Sequence, residues 1–76
     1  MISACVLVRS EKGRFDDVVA ALKQIKEIKR IFPVLGRFDA VVDLEVPDYK
    51  ALGPVIMRMA KMAGVVFTET LVEAQV

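Results

Sequence analysis

A chain of 76 residues with one cysteine and no histidine can form neither an internal disulfide nor a zinc cage of the usual Cys/His type. A domain this small buries only roughly 60% of the surface its unfolded chain exposes, so oligomerisation is the remaining way to stabilise it. Eleven basic against ten acidic residues give a net charge of +1, which offers no basis for direct DNA binding.

Apolar residues make up 55% of the chain, yet no apolar run is long enough to span a membrane. The start, Met1-Ile2-Ser3-Ala4, has no basic region and no long apolar region, so no signal peptide is expected. A lone free thiol suits the reducing cytoplasm. No linker or low-complexity tract divides the chain, and residues 1–76 read as a single domain.

Ile2–Arg9 reads as the first strand: Ile2, Ala4, Val6 and Val8 share one face, and Cys5 and Leu7 lie on the other. Both faces are apolar, which predicts a central strand. Glu11-Lys12-Gly13 is a polar turn, and Phe15, Val18, Val19, Leu22 and Ile25 recur at helical spacing. Asp16 and Asp17 suit the positive end of that helix, and Lys23 and Lys26 the negative end.

Ile28–Leu35 is a second strand, and Pro33 consigns it to a sheet edge or a bulge. Gly36-Arg37 is a short turn into a third strand, Phe38–Val46, with Phe38, Ala40, Val42, Leu44 and Val46 on one face. Pro47-Asp48 opens the next unit, a helical stripe of Leu52, Val55, Ile56, Met59 and Ala63. Pro54 is awkward inside it: either the main helix begins near Gly53-Pro54, or a short turn leads in and kinks there. Gly64 stops the helix, and Val65–Val72 is the last strand.

The order β-α-β-β-α-β predicts an α+β, ferredoxin-like fold: a four-stranded antiparallel sheet in the order 4-1-3-2, with both helices on one face. That order puts the doubly apolar first strand in the centre and the Pro33 strand at an edge. The uncovered face is expected to carry Cys5, Leu7, Val41, Val66 and Val72. A patch of this kind marks an interface, and two such sheets packed face to face would bury it across a two-fold axis. A few hundred Å2 of apolar surface covered in this way is worth roughly 10 kcal/mol before the costs of association.

Three segments carry a family resemblance: Val34-Leu35-Gly36-Arg37-Phe38-Asp39 with its Gly-x-x-Asp pattern, Gly64-Val65-Val66-Phe67-Thr68-Glu69-Thr70, and Ala4–Val8 followed by Gly13. In that order and spacing they resemble the effector-binding, or RAM, domain of the Lrp/AsnC family. The regulators of that family carry a helix-turn-helix, for which these residues leave no room, so the resemblance is to a stand-alone effector domain. It implies a homo-oligomer: dimers joined through their sheets and assembled into rings, commonly octamers. It implies a small effector, mostly an amino acid, bound between dimers, and association with full-length Lrp/AsnC regulators of transcription. It implies no cofactor.

The resemblance carries Gly36, Asp39, Thr68 and Thr70 over as ligand-binding positions, with Leu35 and Phe38 as walls. The glycine turn offers N–H groups to a carboxylate, Asp39 suits an ammonium group, and the threonine hydroxyls donate or accept. Arg37 departs from the acidic or neutral residue expected there, and either meets an acidic ligand or pairs with a neighbouring subunit. Plainer roles stand beside these: Gly36 as a turn residue of positive φ, Asp39 as a local cap, and the threonines as good strand formers.

Met57, Met59 and Met62 read as core and gap-filling residues, and Cys5 as a buried, inert thiol. Asp43, Glu45, Glu69 and Glu73 read as solvated charges rather than a metal site. The competing functions are a structural or adaptor oligomerisation domain without a ligand, and a small dimeric ferredoxin-like enzyme. The enzyme reading lacks a histidine and any nucleophile paired with a base.

Overall fold

The computed structural model of the chain describes residues 1–74. Its elements run β1 (Ile2–Ser10), α1 (Phe15–Leu22), β2 (Ile28–Pro33), β3 (Ala40–Val46), α2 (Tyr49–Ala60) and β4 (Val65–Val72). The four strands form one antiparallel sheet in the order β2-β3-β1-β4. This is the 4-1-3-2 order expected from the sequence, read from the other edge.

Alternation along the strands decides where the core lies. Ala4, Val6 and Val8 of β1 and Ala40, Val42, Leu44 and Val46 of β3 are buried on one face. Val18 and Leu22 of α1, and Leu52, Val55 and Met59 of α2, recur at helical spacing and close over them. Directly opposed residues of antiparallel strands share a face. The other face therefore carries Ser3, Cys5, Leu7 and Arg9 of β1, and Val41, Asp43 and Glu45 of β3. Neither helix covers it. Among the described residues no helix is long and apolar enough to cross a membrane.

Several local expectations are corrected. β2 ends at Pro33 and β3 starts at Ala40, so the connection is a loop, residues 34–39, and Phe38 lies outside the strand. α1 ends at Leu22, and Ile25 is buried from the turn that follows, where its N–H donates to the Leu22 carbonyl at 3.0 Å. α2 begins at Tyr49 because Asp48 caps it, accepting from the Ala51 N–H at 3.0 Å. Pro54 therefore sits in the helix interior rather than in its first turn. The bond it cannot donate would have gone to the carbonyl of Lys50, which is exposed, as is Pro54. α2 ends at Ala60, before Gly64, which instead turns the chain into β4 at φ +90°.

The expected face of β4 is also corrected. Arg9 opposes Phe67 and Ser10 opposes Val65, so Val66 is the extra residue of a bulge. Beyond it Thr68, Thr70 and Val72 oppose Val8, Val6 and Ala4 and lie on the helix side. The open face receives Phe67, Glu69 and Leu71, and Val72 leaves it. On β2 it receives Arg30 and Phe32, opposite Asp43 and Val41.

Candidate functional site

The 34–39 loop, the C-terminal end of β1 and the start of β4 meet at one end of the sheet. The Val34 N–H donates to the Asp39 carbonyl at 3.0 Å, and the Asp39 N–H donates to the Val8 carbonyl at 2.8 Å. Between them, among the described residues, the N–H groups from Leu35 to Phe38 donate to no protein acceptor. Gly36 has φ +136°, a backbone state that side-chain-bearing residues rarely adopt, and Leu35 stands fully exposed at the tip.

Side chains from elsewhere brace this loop. Oδ2 of Asp39 accepts from the Ser10 backbone N–H at 2.8 Å and from the Ser10 hydroxyl at 3.3 Å. Asp39 is thus neither a free carboxylate nor a cap of its own turn, although its second oxygen keeps its acceptor capacity. The Arg9 guanidinium donates from Nε at 2.9 Å and Nη2 at 2.7 Å to the Arg37 carbonyl. It also lies 5.7 Å from the centre of the Phe38 ring. Phe38 stacks on Phe67, with centroids 6.2 Å apart and planes at 22°. These contacts take Phe38 to the open face and away from the Ala40–Val46 row expected for it.

The structure brings Leu35, Gly36, Arg37, Phe38 and Asp39 together but does not join Thr68 and Thr70 to them on one face. The threonines point to the helix side, opposite Val8 and Val6. The sequence reading missed Arg9, Ser10 and Phe67. The available signal for the first was a cation closing an otherwise apolar strand, and for Phe67 the alternation of β4 taken in the other phase.

A concavity lies elsewhere, at the opposite end of the open face. It measures about 510 Å3, and its lining includes Ser3, Cys5, Asp43, Glu45, Leu71 and Glu73. It is a dip in the surface that a second sheet would cover, far from the loop. Burial raises the pKa of the Cys5 thiol above its ordinary value, and the Asp43 carboxylate adds to this by its charge and as an acceptor for the thiol. Both causes keep the thiol protonated and a poor nucleophile. Among the described residues no three of Cys, Asp and Glu gather closely enough to hold a metal ion.

A braced turn with open N–H groups and aromatic walls, on a half-covered antiparallel sheet, has the chemistry of a ligand-binding module. The Lrp/AsnC ligand binding domain matches residues 3–74, and the chain belongs to that family. No curated protein matches it.

Among solved structures it is similar to FFRP-DM1, with 27% identity, 97% of this chain and 100% of that chain covered, and a TM-score of 0.93. It is similar to TTHA0845 from Thermus thermophilus, with 27% identity, coverage of 100% and 96%, and a TM-score of 0.92. It shares its fold with the transcriptional regulator NMB0573 from Neisseria meningitidis, solved as a complex with L-Met, at 17% identity and a TM-score of 0.88; 97% of this chain matches 50% of that one. The 76 residues thus span about half of that regulator and nearly all of the two shorter proteins.

Proposed function

We propose that the chain is a cytoplasmic effector-binding domain, residues 1–76, that works as a homo-oligomer. Two copies pack sheet to sheet, the dimers assemble into a ring such as an octamer, and a small effector, an amino acid or a close relative, binds at the 34–39 loop between dimers. The domain acts alone or joins full-length Lrp/AsnC regulators to modulate transcription, without touching DNA itself.

The observation that carries this reading is the braced loop with unpartnered N–H groups from Leu35 to Phe38, within a domain matching a ligand-binding family over residues 3–74. An α-carboxylate suits the N–H groups around Gly36, and an α-ammonium suits the remaining oxygen of Asp39. Leu35 and Phe38 offer apolar walls, and Arg37 offers a cation to an acidic side chain. Thr68 and Thr70 face the other side of the sheet, so their part in the site requires a neighbouring copy. The open face supports the dimer: Phe32, Val41, Leu7, Phe67 and Leu71 give it an apolar middle. Arg9, Arg30, Asp43 and Glu69 give it both signs of charge, as a self-complementary surface needs.

Isothermal titration against each of the common amino acids tests the effector. We expect a saturable heat with one or a few of them, weakened in Asp39→Ala; no heat with any of them contradicts the reading. A second reading, an assembly domain with no ligand, draws on the Asp39–Ser10 and Arg9–Arg37 bonds, through which the loop satisfies part of its own polarity. The same titration separates the two.

A further inference from the structure

We propose that Arg9 is a positioning residue that couples the docking of a second copy on the open sheet face to the shape of the 34–39 loop. The inference rests on the dimer proposed above and adds a link between the dimer and the binding loop.

The loop does not fix its own shape. Past the Val34–Asp39 bond its N–H groups have no protein acceptor among the described residues, and Gly36 leaves the backbone free to adopt other conformations. Two outside braces act on it. The Asp39–Ser10 brace is partly buried and lies within the chain. The Arg9 brace is exposed.

Arg9 is also part of the docking face, beside Leu7 and opposite Phe67. Its guanidinium thus reaches in two directions: to the Arg37 carbonyl within the loop, and over Phe38, which stacks on Phe67 at the margin of the same apolar surface. In a lone chain, water competes for the Arg37 carbonyl and for the guanidinium, and bonds of this kind hold weakly. A second sheet laid on the face excludes that water and lowers the local dielectric, which strengthens the fork and the cation–π contact together. The loop is then held in one shape when the dimer forms. By linkage, whatever holds the loop in that shape favours the dimer by the same factor.

Lysine cannot replace Arg9 here. It brings a charge but neither the planar fork that places two N–H groups on one carbonyl nor the flat face that lies on Phe38.

The test is 15N relaxation of the backbone amides of Gly36, Arg37 and Phe38, followed by NMR across a dilution series whose state of association is measured in parallel. In the unmodified chain, the order parameters of these amides are expected to rise from the flexible range, below about 0.6, to the rigid range, about 0.85, on passing from monomer to dimer. In Arg9→Lys the dimer still forms, and these amides stay in the flexible range at both ends of the series. Phe38→Leu, which keeps the fork and loses the stack, is expected to show a smaller rise. A dimer whose loop amides keep the monomer's order parameters overturns the coupling alone, as does an Arg9→Lys dimer with the full rise. A chain that stays monomeric throughout overturns both the coupling and the dimer.

Discussion

At Gly64 a β-carbon would stand 2.9 Å from Cγ2 of Val18 and 3.2 Å from Cβ of Arg14, on a backbone already at φ +90°. Both objections apply at once: the left-handed backbone disfavours a side chain, and α1 leaves no space for one. Gly64→Ala is expected to cost about 1–3 kcal/mol of folding stability, read as a lowered urea midpoint. An unchanged midpoint contradicts the close approach of β4 and α1.

Cys5 offers a second check at this scale. Its thiol pKa is raised by burial first and by Asp43 second. A folded value above the unfolded one means that this group's contribution to stability is complete below the ordinary thiol pKa and is lost as the pH climbs from there through the raised folded value. At mildly alkaline pH, alkylation of Cys5 by iodoacetamide is expected to be slower in the folded chain than in urea. It should be faster in Asp43→Asn than in the unmodified protein, because the opposing charge has gone; equal rates in the two would show that Asp43 does not act on the thiol.

Among the elements, α2 shows one local signal overriding another. Proline is poor in a helix interior, and its presence at position 54 argued for a helix beginning there. The Asp48 cap and the apolar stripe of Leu52, Val55 and Met59, all buried, start the helix at Tyr49 instead. The missing hydrogen bond falls on the exposed side, at residues open to water. Pro54→Ala is expected to stabilise the fold by about 1–2 kcal/mol, since the interior penalty relieved exceeds the unfolded-chain entropy given up. A lower melting temperature in that variant contradicts this placement.

The strands were legible where strict alternation marks them: β1 read as central from its two apolar faces, Pro33 confined β2 to an edge or a bulge, and the expected strand order placed β3 beside β1. β4 was legible in extent but not in phase. The bulge at Val66 inserts a residue that no local propensity announces, and a one-residue slip exchanges the faces of every side chain after it. For this reason Phe67 and Leu71, rather than Val72, complete the open face.

The candidate loop was legible in the same partial way. Gly36 and Asp39 came from the family resemblance of their segment, while Arg9 and Ser10, far off in sequence, did not. A brace between residues 9 and 37 leaves no periodic trace, because it depends on how strands meet in space. The partner chosen by Asp39 was hidden for the same reason.

At the scale of the whole molecule, two helices close one side of a four-stranded sheet and leave the other to solvent. That side holds apolar residues from all four strands, including half-exposed Phe67 and Leu71. Folding of a chain this short yields on the order of 5–10 kcal/mol net, so covering a few hundred Å2 of apolar surface, worth roughly 10 kcal/mol before the costs of association, is comparable in weight with that net stability. On the proposed reading, dimerisation, the order of the loop and the affinity for an effector all depend on what meets that face.

Sedimentation velocity from low micromolar to near-millimolar concentration, on the unmodified chain and on Leu7→Glu, tests this most directly. The expected result is a dimer or a higher even-numbered assembly in the unmodified protein, and a folded monomer or a much weakened dimer when a charge replaces Leu7 at the middle of the face. A folded, stable monomer across the whole range for the unmodified chain would contradict it.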